Sequence, residues 1–148
     1  MLPHLPLDPA QHILGAHTLF TGRLRSRVTC GVCGRHSDTE DPFEDLSISV
    51  SDTDSVEVAL RQHTALEVLH GENAYLCSHC RRPCTAHKQL QLHHLPLTLV
   101  IHLKRFDFLS MLASKITSHV AYNSYIDLAE HCTAEAIEEV RNPPSPPQ

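Results

Sequence analysis

Cys30-Gly31-Val32-Cys33 and Cys77-Ser78-His79-Cys80 are two copies of one pattern, C-x-x-C, separated by residues 34–76. A two-residue gap lets both sulfurs of a pair point inward from one tight turn. Two such turns can then face each other across a tetrahedral ion with Zn–S bonds of about 2.3 Å. Cys30, Cys33, Cys77 and Cys80 are therefore read as the ligands of one structural zinc. A redox dithiol is the other chemistry that a single pair supports, and two pairs in one chain favour metal.

Length and composition set the frame around this site. The 148 residues, 41% hydrophobic and 20% charged, suit one globular domain, which at this size buries about 68–70% of its unfolded surface. A formal charge of -5 argues against a dedicated nucleic-acid binder, although local basic patches stay possible. Residues 1–17 carry no secretory pattern, and no window reaches the roughly 18–20 apolar residues of a membrane span. The expected setting is intracellular, in cytoplasm or nucleus, where thiols bind metal rather than pair as disulfides.

Outward from the cysteines, the periodicities predict a β-rich α+β fold. Phe20, Gly22, Leu24, Ser26 and Val28 alternate with Thr21, Arg23, Arg25, Arg27 and Thr29, a half-buried strand running into the first pair with a basic outer face. That face suits either solvent or an acidic partner. The acidic stretch Asp38 to Asp45 follows, then a strand from Leu46 to Val50. Asp54 and Glu57 resemble a capping box before a helix from Ser55 to His63, His70 to Asn73 is a turn, and Ala74 to Leu76 leads to the second pair. Arg81 to Cys84 is another turn and Lys88 to Leu92 a polar strand. The apolar run Leu97 to Leu103 predicts a central strand covered on both sides. Shorter strands are expected at Ile116 to Tyr122 and Tyr125 to Leu128, and a helix from Ala129 to Val140. Residues 1–17, with three prolines, form a flexible arm, and residues 142–148, with four, a disordered end.

The motifs in order resemble those of ubiquitin-specific proteases, which are papain-like cysteine deubiquitinases. The matching residues are Phe20-x-Gly22, Val28-x-Cys30-x-x-Cys33, Ser37, Phe43-Glu44-Asp45-Leu46-Ser47, Gly71-Glu72-Asn73-Ala74-Tyr75-x-Cys77-x-x-Cys80, Lys88, Leu95-Pro96, His102-Leu103-Lys104-Arg105-Phe106, Lys115-Ile116 and Asp127-Leu128. The resemblance runs from about Phe20 to Leu128, and it implies a hand-shaped fold of which residues 18–128 supply the fingers and part of the palm. A four-cysteine zinc ribbon would close the fingertips, and the fingers would cradle the globular body of ubiquitin. Phe43, Glu44, Asp45 and Tyr75 are the ubiquitin-facing residues that the resemblance suggests, with apolar packing an equally good account of Phe43 and Tyr75. Residues 129–148 match nothing in the palm, and Asn123 stands where a proline commonly follows the aromatic.

The family's nucleophile box, asparagine-x-glycine-asparagine-threonine-cysteine, and its glycine-histidine-tyrosine base box are both absent from these 148 residues. Cysteine proteolysis needs a thiolate with a neighbouring imidazole and an oxyanion donor, so cysteines bound to metal cannot substitute. No catalytic residue is assigned. Cys84 reads as a spare thiol beside the zinc site or a competing ligand, and Cys132 as a small apolar residue on a helix. His36 and His79 are surface imidazoles or outer supports of the metal site, and Lys104 and Arg105 are architectural. The expected activity is thus that of a deubiquitinase segment inactive as this chain. A non-catalytic ubiquitin-binding or regulatory module is the alternative, and a nucleic-acid-binding ribbon using Arg23, Arg25, Arg27, Arg81 and Arg82 is a third reading.

Overall fold

A computed structural model of the chain describes residues 19–106 and 115–143. The expected arm and the end of the proline-rich tail lie outside these residues. The alternating stretch before the first cysteine pair forms β1 (Gly22–Cys30), and β2 (His36–Phe43) folds back on it, Gly22 opposite Phe43 and Thr29 opposite His36. The second neighbour of β1 is β7 (Ala86–His94), and β4 (Glu67–Leu69) pairs with the outer edge of β7. The result is an antiparallel sheet in the order β2-β1-β7-β4, the long element of the molecule.

The acidic stretch, to which the periodicities assign no element, forms most of the edge strand β2. Asp, Glu and Pro are poor strand formers, but β1 supplies a template and the charges to match. Arg27 donates to both carboxylate oxygens of Asp38, at 2.7 and 2.6 Å, and Arg23 lies 3.7 Å from Glu40. The ring of Phe43 lies over Gly22, where an added Cβ would come within 2.5 Å of it.

The expected basic outer face is corrected at its centre. Arg25 is buried, and its guanidinium donates to Glu135 at 3.1 Å. The C-terminal helix α2 (Ala134–Arg141) packs on β7 and brings Glu135 to Arg25, a covering that the local period of β1 does not encode. The expected single helix from Ala129 divides into a 3-10 turn (Ala129–His131) and α2. The break comes at Cys132 and Thr133, whose backbones are extended, with Thr133 capping α2 through a bond from Ala136 N–H.

At the base of the sheet, β3 (Leu46–Ser49) pairs in parallel with β8 (Ile101–Lys104). The helix α1 (Val56–His63) lies against β3. Its cap is Ser55, whose hydroxyl accepts from Val58 N–H at 3.2 Å, rather than Asp54. The carbonyl of Asp54 instead accepts from Ala121 N–H. Leu46, Ile48, Val50, Val56, Ala59, Leu60, Leu92, Val120, Cys132 and Ala136 form the core here. Each large aliphatic among them contributes roughly 1.5–3 kcal/mol by burial.

Two expectations for residues 97–128 change. The run Leu97 to Leu103 is not a central strand, because only Ile101–Lys104 pairs and Leu97 is 84% exposed. Pro96 has no N–H to give a ladder, and past Val100 the side chains alternate between half-buried Ile101 and Leu103 and exposed His102 and Lys104. Residues 116–128 contain no strand. Single bridges and the guanidinium of Arg105, which donates to the carbonyls of Ile116 at 3.3 Å and Ser118 at 2.9 Å, hold the first part of that segment in place. This supports the architectural reading of Arg105.

Candidate metal centre

The two C-x-x-C turns meet at the end of the sheet opposite the aliphatic core. Both are built alike. Gly34 N–H donates to Cys30 O at 2.9 Å and Arg81 N–H to Cys77 O at 2.8 Å, so each turn closes over five residues. The residue that follows each pair is left-handed, Gly34 at φ +71° and Arg81 at φ +54°. Glycine adopts that backbone freely, whereas Arg81 carries a steric cost.

Strand pairing sets the turns face to face. Cys30 ends β1 opposite Ala86, and the N–H of Gly31 donates to Thr85 O at 2.8 Å. Across the site, β5 (Tyr75–Cys77) pairs with β6 (Arg82–Cys84), so the segment Arg81 to Cys84 is a turn that continues into a strand. Gly71, at φ +60°, opens the 3-10 turn that feeds β5.

The sulfurs of Cys30, Cys33, Cys77 and Cys80 all lie within 4.8 Å of one another. Among the described residues they are the one group of three or more His, Cys, Asp or Glu close enough to share an ion. Cys33 and Cys77 are 3.7 Å apart, close to the roughly 3.8 Å edge of a tetrahedron with 2.3 Å metal–sulfur bonds. Cys30 and Cys77 are buried, Cys33 and Cys80 half-buried. Backbone N–H groups of Cys33 and Val32 aim at the Cys30 sulfur and lower its thiol pKa to about 6, so the turn itself stabilises a thiolate. Burial pushes Cys80 the other way, toward the protonated form. All six cysteines are free.

The remaining expected site residues do not form one patch. Phe43 is half-buried against the aliphatic core at the base, and Tyr75 packs on the cysteine cluster at the tip. Seven steps of the β1–β2 ladder separate these levels, roughly 24 Å at about 3.4 Å per residue. Glu44 and Asp45 are exposed at the base, where Asp45 accepts from the Ser47 hydroxyl at 2.8 Å. His36 and His79 are exposed, as surface imidazoles. Cys132 sits in the base core, far from the other thiols, and Cys84 is buried inside the cluster. The sequence reading missed the strand character of Arg82–Cys84 and the matched left-handed positions. Gly34 directly after Cys33 was the available signal.

Comparison with known proteins gives a consistent picture. The family described as ubiquitin carboxyl-terminal hydrolase matches residues 9–144, beyond both ends of the stretch Phe20 to Leu128 and through α2. The match thus extends past Leu128, where the sequence reading found nothing resembling the palm. Ubiquitin carboxyl-terminal hydrolase 23 of Arabidopsis thaliana is 41% identical over 113 residues, covering 76% of this chain and 13% of the relative. Human ubiquitin carboxyl-terminal hydrolase 42 is 39% identical over 110 residues, covering 74% of this chain and 8% of the relative. Among solved structures, the SAGA Ubp8/Sgf11/Sus1/Sgf73 DUB module bound to ubiquitin aldehyde superposes with a TM-score of 0.71 at 31% identity, covering 87% of this chain and 29% of that one. The chain thus spans a small part of each relative it matches.

Proposed function

Because this chain belongs to the ubiquitin carboxyl-terminal hydrolase family, we propose that it forms the fingers and part of the palm of a deubiquitinating thiol protease. In this reading β1, β2, β4 and β7 are the fingers, residues 18–128 the fingers and palm segment, and the tip is held by one zinc on Cys30, Cys33, Cys77 and Cys80. The observation that carries it is the four-sulfur cluster closing the far end of an antiparallel sheet in a chain matched from residue 9 to 144. The four sulfurs fit zinc in number, softness and spacing. Bound there, the ion would supply a structural cross-link and no reaction step.

The proposed partner is ubiquitin, whose globular body would lie along the sheet. Glu44 and Asp45 would meet it at the base, while Phe43 and Tyr75 would shape the surface through packing. A phosphate-binding role for the β1 arginines has little support, since Arg23, Arg25 and Arg27 are engaged by Glu40, Glu135 and Asp38. Free thiols favour a reducing compartment, and among the described residues no helix is long and apolar enough to cross a membrane.

These 148 residues are proposed to be inactive by themselves, because neither the nucleophile box nor the base box occurs among them. Two measurements test the reading. The zinc-loaded chain should give no turnover of a ubiquitin C-terminal reporter, and thiol-inhibited turnover would reject inactivity. Labelled ubiquitin titrated with the chain should show shifts that weaken on Asp45→Ala and Tyr75→Ala. No shift at millimolar concentrations would remove ubiquitin binding, and with it the alternative of a non-catalytic ubiquitin-binding module.

A further inference from the structure

The fingertip gathers five cysteines where a tetrahedral ion takes four. The fifth is Cys84, 3% exposed and packed with Cys30 and Cys77 in the same cluster. Cys80 packs against this cluster, and the Cys84 S–H donates to Arg82 O at 3.4 Å. Backbone on both sides fixes it there. Cys84 stands opposite Tyr75 in the β5–β6 ladder, and the next residue, Thr85, accepts from Gly31 N–H.

Cys80 and Cys33 are half-buried, while Cys30, Cys77 and Cys84 are enclosed. Of the two, Cys80 is the one joined directly to Cys84, through the left-handed Arg81 and the strand β6. A partly exposed metal thiolate with a resolving thiol poised beside it is the arrangement used by redox-sensing cysteines.

We propose that Cys80 and Cys84 form a redox couple that joins as a disulfide on exposure to a hydroperoxide and so releases the fingertip ion. The inference rests on the zinc reading of the cluster. The Cys80 thiolate attacks one peroxide oxygen, an S–O bond forms, the O–O bond breaks and hydroxide departs, leaving a sulfenic acid. The Cys84 sulfur then attacks the Cys80 sulfur, the S–O bond breaks, and the departing hydroxyl takes the Cys84 proton as water. Two sulfurs are oxidised by two electrons in all, and hydrogen peroxide is reduced to water and hydroxide. Three cysteines remain for the ion, which is too few for a closed structural site.

The test uses the 148-residue chain, purified with its metal and treated with hydrogen peroxide, with zinc release followed by a chromogenic chelator and disulfides mapped after alkylation. The expected first cross-link is Cys80–Cys84, reversed by dithiothreitol on re-addition of zinc. Cys84→Ser should bind the same zinc stoichiometry but release it on the order of tenfold more slowly, since the adjacent thiol acts at high effective concentration. Equal release rates, or a wild-type cross-link confined to Cys30–Cys33 or Cys77–Cys80, would overturn the couple while leaving the zinc reading intact. A chain that holds no zinc before peroxide is added overturns the zinc reading itself.

Discussion

The two ends of the four-stranded sheet are held by different chemistry. At the base, Leu46, Ile48, Leu60 and Leu92 are fully buried in one aliphatic core. At the tip, the buried side chains are Cys30, Cys77 and Cys84, with Cys33, Cys80 and Tyr75 packed around them. The tip has no buried leucine, isoleucine or valine to offset the entropy of ordering two turns and the short β5–β6 ladder. Its order therefore depends on sulfur, and that of the base on apolar burial. One continuous strand, β7, joins the two, with Ala86 at the cysteines and Leu92 in the aliphatic core.

The sharpest way to break this division is at the tip. Cys77→Ser should abolish stoichiometric zinc binding. Structural zinc contributes roughly 10–16 kcal/mol in finger peptides, comparable to or above the roughly 5–15 kcal/mol stability of a whole domain. Hydrogen exchange should then lose protection in Thr29 to Arg35 and Tyr75 to Cys84, with Ile48 and Leu60 still protected. Loss of protection at both ends together would mean that the base depends on the metal after all.

The converse change is Ile48→Ala, which removes a fully buried side chain from β3, the strand that pairs with β8 and contacts α1. It should cost about 2–5 kcal/mol and lower the thermal midpoint of the base, with zinc stoichiometry unchanged. Zinc lost in parallel would show that β7 couples the ends.

Acid should separate them by a different route. Burial pushes His131 below its ordinary pKa of 6.5, and His63 likewise, with Lys104 adding to the effect. Both imidazoles are neutral in the fold, and the unfolded chain takes up protons more readily. Their contribution is thus full above about pH 6.5 and is lost as pH falls below it. The Nδ1 atom of His131 shares a 2.7 Å bond with the Thr64 hydroxyl, which ties the turn before α2 to the end of α1. The thermal midpoint of the base should fall between pH 7.5 and pH 5.5, and less steeply in His131→Gln. An unchanged slope would remove His131 as the cause.

The smallest effect is expected at Arg81. Arg81→Gly relieves the left-handed backbone that Gly34 adopts freely in the first turn, a gain of up to about 1 kcal/mol. Slower zinc loss to a chelator is the expected reading, with the base unaffected, and faster loss would mean that the Arg81 side chain supports the turn.

Much of the tip was legible in the sequence because its determinants are local. The C-x-x-C spacing and the glycine after Cys33 set the first turn, and β1 and β7 were readable from their alternation. The base was less so. The run Leu97 to Leu103 is apolar enough for a central strand, yet Pro96 interrupts the ladder and one neighbour, β3, pairs with only three residues of it. The strand β2 has the composition of a loop, and its pairing follows from arginines on another strand.

The sequence by itself determined the four-cysteine cluster, the helix α1 and the family to which the motifs belong, since each is written in spacings of a few residues. Tertiary structure alone decided that Arg25 is buried, that Phe43 and Tyr75 stand at opposite ends of the sheet, and that Cys84 joins the cluster. Those outcomes depend on which distant segments pack together. Glu135 reaches Arg25 across 110 positions of chain, and no local period carries that information.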